Sequence, residues 1–329
     1  MRQPEVGRLA GLLAAVLLAA PVARAVWSLL AAGAFLLEFL GGPPLLSRLT
    51  PLPVQGALGV PGLDADLYPA PVLGRGTSLV LVHGVAPAGK DDPRLRTAAV
   101  LLARLGFDVA APTVPGLRQG RLRPDDVAPV VATVAAMRPP VALIGVSVGA
   151  GPALLAAADA RVRDRVRIVL SLGGYASARH LLRFYLTGEH AWGGTRGRVT
   201  HDPALVRHFV ATNADLLGLA PEAAAVLPPG RLAALIDRPP PPLAALLTAL
   251  SPAAVAHDIR ARLVLVHGRD DPAVPYTESL RLAAARPRDT VLVLVDVLHH
   301  VETGGPAARL STLHDAARLW LAMYALREA

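Results

Sequence analysis

The chain contains no cysteine, its only lysine is Lys90, and aromatic residues make up 4% of its 329 residues. Without cysteine, disulfide bonds, thiolate catalysis and cysteine-ligated zinc are excluded, although the cellular compartment stays open. The net charge is +8, but the basic residues are nearly all arginines, and they are scattered along the chain. No basic run is interleaved with aromatic side chains that could stack on bases. We therefore expect no nucleic-acid partner.

Hydrophobic residues make up 53% of the chain, which is high for a soluble enzyme, and much of this excess lies in the first 46 residues. Arg2 and Arg8 precede the uncharged residues 9–23, and beyond Arg24 the chain stays apolar until Glu38. About 20 apolar residues span a bilayer, and a mid-bilayer arginine costs about 2.5–3.5 kcal/mol. One tilted span, or two half-length helices with Arg24 at the turn between them, are both compatible with this pattern.

A third interpretation of the N-terminus is a secretory signal peptide of residues 1–25, cleaved after Ala23-Arg24-Ala25. The sequence beyond that cut is as apolar as the sequence before it, which is unusual for a mature start. We expect residues 1–46 to be retained and membrane-associated, with cleavage as the alternative. The basic start orients a single span so that the rest of the chain is extracytoplasmic. On this interpretation a chain beginning near Pro51 is soluble and active.

The rest of the chain alternates apolar runs with helical periodicity, which predicts a mostly parallel, doubly wound α/β sheet. The predicted strands are 79–84, 107–111, 141–145, 168–172, 263–268 and 291–295. A proline-punctuated linker and first strand region occupies 47–74. The alternation stops between 176 and 258, where the pattern is helical. We interpret this stretch as a helical cap inserted into a core made of 75–175 and 259–329.

Residues 145–149 read Gly-Val-Ser-Val-Gly and connect a predicted strand to a predicted helix. This is the Gly-x-Ser-x-Gly nucleophile elbow in its strand–turn–helix context, where the glycines permit a turn too tight for a Cβ. The turn holds Ser147 at the N-terminus of the helix, where a developing negative charge is stabilised. Ser147 is the candidate nucleophile.

A serine nucleophile needs a base, and the base needs an acid that orients it. After an elbow of this type, the three residues occur along the chain in the order Ser, Asp, His. The turn after the strand 263–268 reads Arg-Asp-Asp-Pro-Ala-Val-Pro. It resembles the Gly-x-x-Asp-x-x-Val-Pro signature of the α/β-hydrolases, and the resemblance implies Asp271 as the acid, beside Asp270. Helix capping by both aspartates, near Thr277, is the structural alternative.

The resemblance covers about residues 75–175 and 259–329. It implies the α/β-hydrolase fold, in a bacterial branch that differs from the well-described lipases and esterases. It places the catalytic histidine in the loop after the last strand, at His300. The family usually has Gly-x-Gly-His at this place, and this chain lacks both glycines. His299 is therefore an alternative to His300 as the catalytic base. It also implies an oxyanion hole formed by the backbone N–H groups of Val148 and Val85.

The run from Gly84 to Lys90 also imitates a phosphate-binding Gly-x₄-Gly-Lys loop. The next residue, however, is Asp91, where a serine or threonine is needed to bind Mg²⁺. We expect Lys90, Asp91 and Asp92 instead to order the loop at the mouth of the site.

Together these residues predict a serine hydrolase that cleaves an ester-like bond through an acyl-enzyme, without a metal or an organic cofactor. The expected substrate is a small molecule with an apolar acyl group. A peptidase or thioesterase of the same fold is the alternative enzyme. A non-catalytic, membrane-tethered scaffold that retains the fold is the alternative from another functional class. The residues leave the identity of the substrate and the oligomeric state open.

Overall fold

The computed structural model describes residues 22–23, 25–71, 77–296, 298–299, 302–303 and 310–328. The first part of the N-terminal segment, residues 1–21, and the predicted base His300 lie outside the described residues. The same holds for Arg24, the proposed polar break of the apolar segment.

A mostly parallel sheet forms the centre of the molecule. The strands are β1 (Gly56–Ala57), β2 (Ala65–Tyr68), β3 (Thr77–Val82), β4 (Phe107–Pro112), β5 (Val141–Val146), β6 (Val166–Leu172), β7 (Glu189–Trp192), β8 (Thr195–Arg198), β9 (Arg262–Gly268), β10 (Thr290–Val295), β11 (Leu298–His299) and β12 (Glu302–Thr303). Eight of them form one sheet in the order β1-β2-β4-β3-β5-β6-β9-β10. In it β1 and β2 pair antiparallel, as do β2 and β4, and all other neighbours are parallel. Every strand predicted from an apolar run is present.

Helices cover both faces of this sheet. They are α1 (residues 25–39), α2 (Leu45–Leu49), α3 (Pro93–Arg104), α4 (Pro115–Arg118), α5 (Val127–Ala136), α6 (Ala150–Ala158), α7 (Ala178–Thr187), α8 (Pro203–Thr212), α9 (Pro221–Val226), α10 (Pro229–Asp237), α11 (Pro241–Ala249), α12 (Thr277–Ala285) and α13 (Leu310–Arg327). Successive side chains of a strand point to opposite faces. Leu79 and Leu81 of β3 therefore join a core with α1, α3 and α13, whereas Val80 and Val82 join a core with α5, α6 and the insertion.

Helix α1 is a part of this folded core. Phe35 and Leu36 are buried against the sheet, and the indole Nε1 of Trp320 in α13 donates to the carbonyl oxygen of Leu29 at 2.6 Å. A Cβ on Gly33 would stand 3.0 Å from the Trp320 ring. The apolar side chains on the inner face of α1 are thus explained by packing, which the interpretation of 1–46 as one membrane-associated segment did not foresee.

This packing also removes the objection to a mature chain that begins at Val26, because the apolar sequence beyond Ala25 belongs to a core helix. It changes the expectation for a chain that begins near Pro51, which would lack a helix of the core. No helix in the described part of the chain combines the length and the apolar composition needed to cross a membrane.

The insertion between β6 and β9 consists of α7 to α11 and the hairpin β7–β8. The predicted helical cap is therefore present, with a two-stranded hairpin added to it. Gly193 and Gly194 connect the two strands, and Gly193 has a φ of +57°. A Gly-Gly pair between two short strands is a signal for such a turn, so this hairpin was readable from the sequence.

Candidate active site

The predicted elbow lies between the end of β5 and the beginning of α6. Ser147 adopts a φ of +53°, in the left-handed region that residues other than glycine rarely occupy. A 3₁₀ turn, Ser147–Gly149, connects it to α6. A strained backbone of this kind costs roughly 1–3 kcal/mol and persists where the surrounding structure enforces it. The strain at Ser147 therefore marks the position as a functional candidate.

The two flanking glycines of the elbow are required by the space around them. A Cβ on Gly145 would stand 2.4 Å from the Cα of Ala150, and a Cβ on Gly149 would stand 2.0 Å from the carbonyl oxygen of His83. Both distances are far shorter than any real contact of a Cβ. The glycines allow β5, α6 and the end of β3 to approach until their backbones touch.

Ser147 is 7% exposed and lines a cavity of about 710 Å³ between the sheet and the insertion. The loop after β3 forms one wall of this cavity, and α7 and α8 of the insertion form another. Most of the lining is apolar; the side chains that contribute from the insertion include Leu181, Tyr185, Leu205 and Phe209. A buried serine in a cavity whose walls are mostly apolar, with a few polar side chains among them, is the usual form of a small-molecule site.

Val148 and Val85, the two predicted oxyanion-hole residues, line the same cavity as Ser147. Val148 lies in the first turn of a helical segment, where backbone N–H groups have no acceptor within the helix. Val85 lies two residues after the buried His83. The Nε2 of His83 accepts the backbone N–H of Val114 at 2.9 Å. The Nδ1 of His83 is 2.7 Å from the carbonyl oxygen of Gly84 and donates to it.

These two bonds define a neutral His83 with its proton on Nδ1. Burial lowers the pKa of His83, which keeps the ring uncharged near neutral pH. The ring fixes the carbonyl of Gly84, and with it the course of the loop that carries Val85. His83 therefore has a positioning role, which no motif in the sequence indicates.

Asp271 lies in the turn after β9 and is 3% exposed, whereas its neighbour Asp270 is exposed. The Oδ1 of Asp271 accepts the backbone N–H groups of Ala273 and Val274 at 2.8 and 2.9 Å. The next two residues, Pro272 and Ala273, line the cavity. Helix α12 has no side-chain cap, so the capping alternative is not the arrangement found.

A second buried histidine, His267, supports the turn that carries Asp271. Its Nε2 donates to the carbonyl oxygen of Val274 at 2.8 Å, and its Nδ1 accepts from the Ser279 hydroxyl at 2.7 Å. The same Nε2 is 3.5 Å from the Oδ2 of Asp271. This ring connects β9, the turn and α12, a role that no local sequence pattern indicates.

The predicted base falls in the loop beyond β10. His299 belongs to the short strand β11, and His300 lies outside the described residues. Two further histidines that the sequence analysis did not single out, His201 and His208, line the cavity from the insertion. The Nε2 of His201 donates to the carbonyl oxygen of Phe184 at 3.1 Å, and burial lowers its pKa.

The loop between β3 and α3 is held by ion pairs, as predicted for the mouth of the site. Lys90 Nζ lies 3.1 Å from a carboxylate oxygen of Asp66 on β2 and 3.5 Å from Asp64. Asp92 accepts the backbone N–H of Arg94 at 2.9 Å and so caps α3. Because Lys90 is paired with these carboxylates, it is not available to bind a phosphate group, as the lysine of a phosphate-binding loop does.

A buried carboxylate attaches the insertion to the core. The Oε2 of Glu278 on α12 accepts the backbone N–H groups of Ala176 and Ser177 at 3.0 and 2.8 Å, directly before α7. Arg281 donates to the other carboxylate oxygen at 3.2 Å. Burial raises the pKa of Glu278, and the two backbone donors and Arg281 oppose this effect. The start of the cap is thus fixed against α12.

The sequence gives no match to protein-family models, and none to curated proteins. The fold is similar to that of the acylaminoacyl peptidase of Pyrococcus horikoshii, with a TM-score of 0.55 and 16% identity over 85% of this chain and 42% of that one. It is also similar to a puromycin-hydrolyzing peptidase of Mycobacterium tuberculosis, with a TM-score of 0.51 and 18% identity over 84% of this chain and 39% of that one. The chain spans about two fifths of the length of each.

The sheet order, the strained elbow after β5 and these structural likenesses agree with the resemblance read from the motifs. The chain has the α/β-hydrolase fold, with a helical cap inserted after its sixth strand.

Proposed function

We propose that the protein is a serine hydrolase that cleaves an ester bond through an acyl-enzyme intermediate. The observation that carries the proposal is the conformation and position of Ser147. Its backbone is in the left-handed region, and its side chain lines the 710 Å³ cavity. The glycines on either side of it, Gly145 and Gly149, have no space for a Cβ. Such an elbow presents the hydroxyl above the sheet edge, where a substrate carbonyl in the cavity can approach it.

In the proposed reaction the Ser147 Oγ attacks the substrate carbonyl carbon while His300 accepts the hydroxyl proton. Asp271 holds the imidazole in the tautomer that can accept this proton. The N–H groups of Val85 and Val148 donate to the oxyanion of the tetrahedral intermediate. The intermediate collapses with loss of the alcohol, which receives the proton from His300. Water then attacks the acyl-enzyme by the same route and releases the acid.

The burial of Asp271 supports it over Asp270 as the acid. Two backbone N–H groups fix its Oδ1, and residues next to it line the cavity, whereas Asp270 is exposed. A carboxylate fixed in this way orients an imidazole better than a mobile one, because little side-chain entropy is lost when the bond forms.

The lining of the cavity supports an apolar acyl group in the substrate. Leu181 of α7 and Leu205 and Phe209 of α8 line the same cavity as Ser147, and an acyl group packed against these side chains would remove apolar surface from water. The amide bond is the second candidate, because the two similar structures are named as peptidases.

Labelling with a fluorophosphonate probe tests the proposal, followed by hydrolysis of paired p-nitrophenyl esters and p-nitroanilides that carry the same acyl group. We expect labelling at Ser147, no labelling of Ser147→Ala, and faster cleavage of the esters. Faster cleavage of the anilides would assign the peptidase alternative. Folded wild-type protein that the probe does not label would favour the non-catalytic scaffold.

We further propose that α1 contacts a lipid surface through its outer face. Val26, Trp27, Leu30 and Leu37 are all more than half exposed, and at about 100° per residue they share one face opposite the buried Phe35. Soluble surfaces rarely carry a contiguous apolar face of this kind. Tryptophan and leucine are the side chains that insert at a bilayer interface.

Flotation of the full chain with phosphatidylcholine–phosphatidylglycerol vesicles tests this contact. We expect the wild type to float and the double variant Trp27→Glu with Leu30→Glu to remain below, while Leu49→Glu, an exposed leucine on α2, floats as the wild type does. Equal flotation of all three would overturn the role of α1. Sequencing of the mature N-terminus distinguishes the two interpretations of residues 1–46: a start at Val26 indicates export with removal of a leader, and a retained Met1 indicates an anchor, for which we propose an extracytoplasmic location of the rest of the chain.

A further inference from the structure

A second, smaller cavity lies under α1, on the face of the sheet away from the insertion. It measures about 90 Å³, and the described side chains around it, from α1, α3, α13 and the ends of the central strands, are all apolar. Polar groups would be left without hydrogen-bond partners there, which costs several kcal/mol in an apolar site. The chemistry of the lining therefore admits hydrocarbon only.

The small cavity adjoins the cavity of the candidate active site. Phe39, Ala98, Val146 and Leu172 line both of them. Val146 directly precedes Ser147, and Leu172 is its register partner at the end of the neighbouring strand β6. The boundary between the two cavities thus begins one residue from the candidate nucleophile.

The C-terminal end of α1 contributes Phe39 to this boundary. The rings of Phe35 and Phe39 are stacked with their centroids 5.6 Å apart, and Phe39 is the last residue of the helix. The backbone N–H of Gly42 donates to the carbonyl oxygen of Leu37 at 2.8 Å and ends the helix there. Phe39 is half-buried and lines both cavities, so its ring lies at the boundary between them.

We propose that the small cavity is the distal part of an acyl-binding site, and that the acyl chain of the substrate runs from Ser147 past Phe39 to end under α1. This inference rests on the proposed serine hydrolase. An apolar cavity of about 150 Å³ holds a benzene ring, so 90 Å³ adds space for about three or four methylene groups. Each buried methylene group should raise kcat/KM by roughly fourfold, until the chain fills the cavity and the gain stops.

The substitution Ala322→Leu tests the proposal, because Ala322 of α13 lines the small cavity and does not line the cavity that contains Ser147. We expect kcat/KM for p-nitrophenyl acetate to stay within twofold of the wild type, and for the ester with the longest preferred chain to fall at least tenfold. Ala317→Leu is the matched control, since the same change on the same helix points to solvent and should leave the whole chain-length profile unchanged.

A chain-length profile of Ala322→Leu that equals the wild type, or a fall that is equal for all esters, would overturn the proposal. If that variant does not fold, Leu319→Ala decides, because it enlarges the same cavity. We expect it to move the preferred acyl chain to greater length. An unmoved preference would overturn the proposal as well.

Binding of straight-chain carboxylic acids, butanoate to decanoate, measured by calorimetry, separates this inference from the proposed reaction. Tighter binding with each added carbon, weakened in Ala322→Leu, supports the acyl site even if Ser147→Ala still hydrolyses esters and the nucleophile is wrong. Conversely, an inactive Ser147→Ala together with acid binding that does not respond to Ala322→Leu leaves the hydrolase standing and overturns the acyl site.

Discussion

The carbonyl oxygen of His83 lies 2.0 Å from the point where a Cβ on Gly149 would stand. His83 ends the segment that leads into the loop of Val85, and Gly149 ends the turn that begins at Ser147. The two parts of the proposed site, the nucleophile and the second oxyanion donor, are therefore held together by the direct approach of two backbones. No side chain separates the two backbones, so their close spacing depends on the absence of a Cβ at Gly149.

We expect Gly149→Ala to destabilise the protein by roughly 1–3 kcal/mol or more, because two backbones must move apart to admit the methyl group. Thermal unfolding measures the effect. The control is Gly230→Ala in α10, where a Cβ meets no atom within 4 Å and alanine is the better helix former. Equal melting temperatures for Gly149→Ala and the wild type would contradict the close approach.

Ser147→Ala should reduce kcat for ester hydrolysis by at least a factor of about 10³, since loss of the nucleophile leaves only binding and the oxyanion donors. The stability should change by less than about 1 kcal/mol, because the hydroxyl faces the cavity and alanine keeps the same backbone strain. Steady-state kinetics and thermal unfolding of the same preparation check both statements. A rate within tenfold of the wild type would show that another group is the nucleophile.

Asp271→Asn should lower kcat by roughly 10³–10⁴, the size of effect expected when the orienting carboxylate of a triad is lost. Its Oδ1 can still accept the two N–H groups of the turn, so the fold should be retained. Asp270→Asn is the matched neighbour and should stay within about twofold of the wild-type rate. The reverse order of effects would transfer the role of the acid to Asp270.

The identity of the base follows from three single variants, His300→Gln, His299→Gln and His201→Gln. We expect only His300→Gln to lower kcat as strongly as Ser147→Ala does, and to remove the acid limb of the pH–rate profile, which reports the base. His201 lines the cavity and donates to a backbone carbonyl, so it controls for effects on cavity shape. A severe loss in His299→Gln instead would shift the register of the loop by one residue.

Asp126 provides a prediction for pH and stability. Burial raises its pKa from 3.8 to about 6, while the backbone N–H of Gly116 donates to it at 2.8 Å. Between about pH 4 and 6 the folded state thus binds more protons than the unfolded state, so this group lowers the free energy of unfolding as pH rises. Asp126→Asn should reduce that decline, measured by urea unfolding at pH 4, 5, 6 and 7. An unchanged slope would contradict the buried carboxyl.

Local patterns sufficed for much of this fold and for the nucleophile. The buried strands have continuous apolar runs, and the Gly145 and Gly149 contacts depend on a turn that is contained in five residues. The prediction of Asp271 as the acid came from a motif of similar length. It agrees with the burial of the carboxylate and remains to be tested by activity.

Features that depend on contacts between distant parts of the chain could not be predicted from the sequence. Glu278 meets the start of α7 across about a hundred positions, and His83 reaches Val114 across another loop, so no spacing indicates either contact. For α1, composition alone cannot distinguish apolar side chains that face lipid from those that pack in the protein interior, so the burial of Phe35 and Leu36 was not predicted. The choice between His299 and His300 rested on two glycines that this chain lacks.

The contact of α1 with α13 has a consequence for how the protein is made. Leu29 and Trp320 are 291 positions apart, and Ser28 and Arg327 are 299 apart, so α1 finds this partner only after the long stretch of chain between them has been synthesised. Until then the inner face of α1 stays exposed, and such late, non-local contacts fold slowly and favour aggregation.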